Sequence, residues 1–209
     1  MTKRIITINR MYGSNGRKIG KALADELGIQ YYDKELIRIA SEKEGIPYEE
    51  LQKVDEKRAS QWRYPLDEPM QMAPQYRFYP MNDVLYQTES EIILSLSERE
   101  DCVIIGRCAG HILEKRALRV FIHAPFDYRV SVAAKRMDIP ERDARVFVKK
   151  MDKERRNYYE YFTDEKWLDI TSYDLCIDSS RFTEAQAVQI LKAAYEDRYC
   201  PEDAAGEIG

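Results

Sequence analysis

Histidine and cysteine are scarce in this chain of 209 residues, with two and four copies. His111 and His123 lie far apart and share no ligand spacing, which argues against a zinc site and against a histidine-centred nucleophile triad. Cys102, Cys108, Cys176 and Cys200 form no C-x-x-C pair and read as reduced, mostly buried thiols. Long hydrophobic runs are also missing. Nothing approaches the roughly 20 apolar residues of a membrane span, and Ile5, Ile6, Thr7 and Ile8 are too few for a signal-peptide core. The expectation is a cytoplasmic protein. Nor does one sign of charge dominate: Lys+Arg 33 against Asp+Glu 37 gives a net charge of −4. Interspersed charges argue against disorder and against a general polyanion binder, so neither a nucleic acid polymer nor a membrane is expected as partner. A local phosphate site remains compatible with that balance.

What is present suits one domain, since 44% of the residues are hydrophobic. Residues 3–8 are β-branched and read as a buried strand. Gly13-Ser14-Asn15-Gly16 follows, then a helix carrying Ile19, Ala22, Leu23 and Leu27 at helical spacing and stopped by Gly28. Residues 29–33 form a second strand, completing a βαβ unit of a parallel sheet. Helices are expected over 34–45, 47 to about 60, 83–98, 126–137 and 140–162, the last with a possible break. Further strands are expected at 102–105, 118–122 and 173–178, and Thr183-Glu184-Ala185-Gln186 is a capping box opening a final helix. Residues 61–81, with Trp62, Tyr64, Pro65, Pro69, Pro74, Tyr76 and Phe78, follow no period. They read as an ordered excursion that packs on the body, on a partner subunit or over a substrate, and a homodimer stays open. Residues 201–209 are an acidic tail expected to fray.

The chemistry concentrates at the first turn. Backbone N–H groups of a glycine turn, aimed with a helix N-terminus, form a cradle for a phosphate. The cradle candidates are Gly13, Ser14, Asn15, Gly16, Arg17 and Lys18. Asp33 ends the second strand, at the edge where α/β sheets bind ligands. It can accept from a sugar hydroxyl or a phosphoacceptor, or cap the helix that follows. Arg107 follows a buried strand and Gly106 at the same edge; its structural alternative is a salt bridge. Arg155 falls on an apolar helix side beside Met151 and Tyr158, a costly place for a guanidinium without an anion. That anion is a nucleotide phosphate or, three residues earlier, Asp152. The neighbouring tyrosines read mainly as wedges against the core.

Taken together, Ile5–Ile8, the glycine turn, Gly28–Asp33, Ile104-Ile105-Gly106-Arg107 and Val120–Pro125 resemble the cytidylate kinase-like branch of the P-loop nucleoside monophosphate kinases. Arg129, Asp152-Lys153-Glu154-Arg155 and Tyr173–Asp178 extend the resemblance over roughly residues 3–195. It implies a three-layer α/β P-loop NTPase fold: a five-stranded parallel sheet of order 2-3-1-4-5, helices on both faces, and a helical lid near 138–165. The core would comprise 1–60 and 82–200, with 61–81 as the monophosphate region. The implied reaction is ATP-dependent phosphoryl transfer to a nucleoside monophosphate or similar small acceptor, with Mg²⁺. Arg155 and Arg107, with Arg17 and Lys18, would be the catalytic cations. Asp33, Arg107 and Arg129 would bind the acceptor.

The chain departs from that pattern in four places. Gly16 stands where the P-loop lysine belongs, Arg17 where the first hydroxyl belongs, and Asn9 and Ile105 where acidic residues are usual. Arg17, Lys18 and Arg10 are the cations near enough in sequence to replace the lysine. The departures keep a second reading open, a nucleotide-binding or regulatory protein that performs no transfer.

Overall fold

The β-branched runs become five parallel strands in a single sheet: β1 (Ile5–Arg10), β2 (Gln30–Tyr32), β3 (Cys102–Ile105), β4 (Ala117–His123) and β5 (Leu175–Asp178). Their order is β2-β3-β1-β4-β5 and every pairing is parallel. The computed structural model describes residues 3–55 and 81–196. Parallel strands need crossovers, and helices on both faces supply them. These are α1 (Gly16–Leu27), α2 (Glu35–Glu44), α3 (Tyr48–Val54), α4 (Met81–Arg99), α5 (Ala109–Leu113), α6 (Phe126–Met137), α7 (Glu141–Thr163) and α8 (Glu184–Glu196). Ile6, Ile8, Val103, Val120 and Ile122 pack against Ile19 and Leu23 of α1 and Leu191 of α8. On the opposite face, Ile5, Cys102 and Ile104 meet Leu36, Ile37, Leu85, Ile93 and Leu113.

Three local outcomes bear on the site. β1 runs to Arg10 instead of ending at Ile8, because Asn9 pairs with Phe121 and Arg10 with Ile122 in the β4 register. Two polar residues expected in the turn thus belong to the strand end. α7 is unbroken, containing neither proline nor glycine. α5 was not expected; five residues are too few to show a helical period. The capping box forms reciprocally, with Thr183 N donating to Gln186 Oε1 (2.9 Å) and Gln186 N to Thr183 Oγ1 (3.3 Å).

Other expectations are adjusted. Lys34, in helical conformation, occupies the cap position of α2, and the Asp33 carboxylate does not cap that helix. Cys102 and Cys108 are buried, but Cys176 is exposed, since β5 is an edge strand. Burial pushes the Cys102 thiol up to about 12, making it inert. Among the described residues no helix is long and apolar enough to cross a membrane. Residues 61–80 of the aromatic excursion, the acidic tail and Cys200 lie outside the described residues; Met81 begins α4.

Candidate functional site

The chain leaves β1 at Arg10 and enters α1 at Gly16, and the turn between them is held open from below. Gly13 has φ +80°, and a Cβ there would sit 2.6 Å from the Arg129 carbonyl oxygen. Asn15 takes the left-handed region at φ +58°, and its side chain caps nothing. Ser14 is fully buried; its hydroxyl donates to the Met11 carbonyl (2.9 Å), which braces the turn from inside and turns that group away from a ligand. Among the described residues, the amides of Gly13, Asn15, Gly16, Arg17 and Lys18 meet no protein acceptor. Five N–H groups around a helix N-terminus are a cradle for anionic oxygens.

A Cβ at Gly16 would lie 2.7 Å from Cβ of Arg10. The space through which a lysine at 16 would leave the backbone is therefore filled by the Arg10 side chain, itself only 2% exposed. Of the three cations near the missing lysine in sequence, Arg10 is the one packed against Gly16 of the loop. Arg17 turns away to pair with Asp33 (Nε–Oδ2 2.8 Å, Nη2–Oδ1 3.0 Å). Lys18 is exposed on the first turn of α1.

Helix α7, expected as a lid, contacts the loop directly. Arg155, 8% exposed, donates from Nη1 to the Arg10 carbonyl (3.1 Å), and its guanidinium lies 5.5 Å from the Tyr12 ring centre. Asp152 is not its partner. The Asp152 carboxylate instead accepts from the Tyr12 amide (2.8 Å) and pairs with Arg129 Nη1 (2.5 Å). Arg129 also donates to the carbonyls of Ala124 (2.9 Å) and Tyr12 (3.1 Å). It is a pillar under the loop on the β4 side of the sheet, whereas Asp33 and Arg107 follow β2 and β3. The three residues expected to bind the acceptor are thus not brought together: Asp33 joins Arg107, and Arg129 does not.

Arg107, 1% exposed and in the left-handed region at φ +53°, is the centre of a buried ionic cluster. Its Nε donates to Glu89 (2.7 Å), Nη2 to Asp55 (3.0 Å), and Nη1 to Asp33 (3.4 Å) and to the Ile105 carbonyl (3.2 Å). An acceptor phosphate reaching this guanidinium would have to displace or share a carboxylate. Asn9, in an acidic residue's place, serves as a joint: its oxygen accepts from Arg10 N (2.9 Å) and Trp167 Nε1 (3.0 Å), and its amide donates to Tyr173 Oη (3.1 Å). His111 also has a partner, Glu165 (3.1 Å), 54 residues away and invisible to local pattern.

β1 and β3 are adjacent, and the connections that leave them run to opposite sides of the sheet, which makes the gap between their C-terminal ends the switch point where α/β sheets take ligands. A small cavity of about 10 Å³ lies there, with Arg10, Arg107, Arg155, Tyr158, Cys108 and Trp167 in its wall. Three arginines line it, from the end of β1, the turn after β3 and α7. A larger cavity of about 280 Å³ opens beside it between α5 and the β1–β4 strands, lined by Thr7, His111, Arg119 and Tyr173 among others.

Comparison with known proteins agrees with this fold. Residues 5–181 match the cytidylate kinase-like family. The chain belongs to that family. The cytidylate kinase of Methanosarcina barkeri is 28% identical over 211 residues, covering 94% of this chain and 99% of the relative. That of Methanopyrus kandleri is 25% identical over 210 residues, covering 95% and 96%. Among solved structures, an uncharacterized protein from Eubacterium ventriosum aligns with TM-score 0.69 at 24% identity, over 94% of this chain and all of that one. Shikimate kinase from Bacteroides thetaiotaomicron aligns with TM-score 0.55 at 16% identity, over 93% and 98%. These two structures share the P-loop kinase fold.

For a member of the cytidylate kinase-like family, the donor set decides which groups the site can hold. The open amides and the buried cations suit the phosphates of a nucleotide. A protein-anchored Mg²⁺ does not fit: Ser14 Oγ is engaged with Met11, Arg17 replaces the usual hydroxyl, Asn9 is neutral, and no cluster of three metal-binding side chains occurs among the described residues.

Proposed function

We propose that this chain is a phosphotransferase that moves the γ-phosphoryl group of ATP to a nucleoside monophosphate or similar small acceptor. The observation that carries the reading is the meeting of Arg10, Arg107 and Arg155 at the switch-point cavity, beside a loop whose amides await acceptors. Phosphoryl transfer asks a protein for positioning and compensation of charge more than for covalent chemistry, and fixed cations supply both. In this reading the Gly13–Lys18 amides hold the donor phosphates. Arg10 neutralises them from beneath in place of lysine, and Arg155 approaches from the lid. Arg107 and the Arg17–Asp33 pair orient the acceptor. Mg²⁺ held by the nucleotide's own phosphates would offset part of their charge.

The test is ADP release by the full chain with ATP, Mg²⁺ and a panel that includes CMP, dCMP and non-nucleotide hydroxyl acceptors. Acceptor-dependent release supports transfer. Two observations favour the second reading, a nucleotide-binding regulatory protein: Asp152 takes a loop amide that a phosphate would use, and three carboxylates surround Arg107. Nucleotide binding without release under any acceptor would select it.

A further inference from the structure

Tyr158, on α7 one turn beyond Arg155, is 4% exposed, and its hydroxyl has no hydrogen-bond partner among the described residues. Two tyrosines nearby are hydrogen-bonded: buried Tyr159 donates to Glu165 (2.8 Å) and half-buried Tyr173 to the Trp167 carbonyl (2.8 Å). A buried hydroxyl left unpaired carries its full desolvation penalty, so one beside two hydrogen-bonded tyrosines asks for an explanation. Its position offers one. Tyr158 lines the same switch-point cavity as Arg10, Arg107 and Arg155, and its hydroxyl lies within the field of Arg107, Glu89 and Asp55.

We propose that the Tyr158 hydroxyl is a hydrogen-bond donor to an oxygen of the phosphoryl group held at this cavity, beside the three arginines in its wall. The inference rests on the phosphotransferase reading and adds to it a neutral donor. Burial, with the nearby carboxylates of Glu89 and Asp55, raises the phenol well above its usual range, so it stays protonated and donates without acting as a base. The cavity has room for about one water molecule, so a single phosphoryl oxygen fills it and accepts from the hydroxyl.

Tyr158→Phe removes one oxygen and keeps the ring against Tyr86 and Phe162. Thermal unfolding of the full chain is followed against ATP, with and without Mg²⁺, and against inorganic tripolyphosphate. ADP release is measured alongside, with exposed Tyr128→Phe as the matched control. The expected result has opposite signs: Tyr158→Phe leaves the unliganded Tm unchanged or higher, yet weakens half-saturation by ATP or lowers kcat/KM by roughly tenfold to a hundredfold. A lower unliganded Tm with wild-type affinity and turnover makes the hydroxyl structural and overturns the inference. A wild-type chain that answers none of the probes overturns the phosphotransferase reading as well. A wild-type response that Tyr158→Phe retains in full overturns only the role of the hydroxyl.

Discussion

Gly13 answers two constraints at once, a positive φ and a 2.6 Å approach to the Arg129 carbonyl, and relief of one does not relieve the other. Gly13→Ala is therefore expected to cost about 1–3 kcal/mol in urea unfolding and to abolish the thermal shift on adding ATP. Asn15, at φ +58°, shows that asparagine serves where only the dihedral matters. Arg10 is the residue that sequence reasoning placed least well. It was one of three cations near the missing lysine, and nothing local distinguished it, because polar residues can prolong a strand without leaving an apolar signature. Only the Arg10–Ile122 register and the contact with Gly16 put it beneath the loop. Arg10→Met should weaken ATP binding by about tenfold to a hundredfold in calorimetry, the scale of a charge-assisted hydrogen bond. Arg17→Ala should instead raise the acceptor KM, because Arg17 is held by Asp33.

At the scale of elements, α7 and the loop after β1 are joined by Asp152. Its carboxylate holds the Tyr12 amide and the largely buried Arg129 together, and Arg136 and Phe147 close over the Tyr12 ring. Asp152→Ala leaves Arg129 without its carboxylate. The expected loss is about 3 kcal/mol in denaturant unfolding, together with faster hydrogen exchange at the Tyr12 amide. Unchanged exchange there would show that the helix does not hold the loop. The helix itself was legible, since Ala144, Val148 and Tyr158 recur on one buried side. Its partner choice was not. Spacing within α7 pointed Asp152 at Arg155, three residues on, whereas the actual contact reaches a loop 140 residues away. Periodicity reports which side of a helix is buried and says little about which distant polar group waits there. α5 escaped notice for a different reason: its five residues complete little more than one turn.

For the whole molecule, the parallel sheet and the layering were legible because βαβ units repeat and their crossovers have one hand. The order itself came from the family resemblance more than from any strand. Burial also sets a pH boundary for the molecule. It pushes Tyr31, Tyr32 and Tyr195 up to about 12, and it raises Tyr158, Tyr159 and Tyr173 further. A phenol whose folded pKa lies above its unfolded value near 10 stabilises fully below pH 10. That stability is lost as the unfolded chain releases protons the folded one keeps. Tm should stay flat from pH 7 to about 9.5 and fall steeply between 10 and about 12, while tyrosinate absorbance appears only with unfolding for these six residues. The central claim is that the loop after β1 and the arginines around it form a phosphate site. Calorimetric titration of the full chain with ATP, in parallel with Arg10→Met, tests it most directly. The expected result is one site of measurable affinity that weakens markedly in Arg10→Met; absence of binding heat in the wild-type chain at any Mg²⁺ concentration, or equal affinity in both, would contradict it.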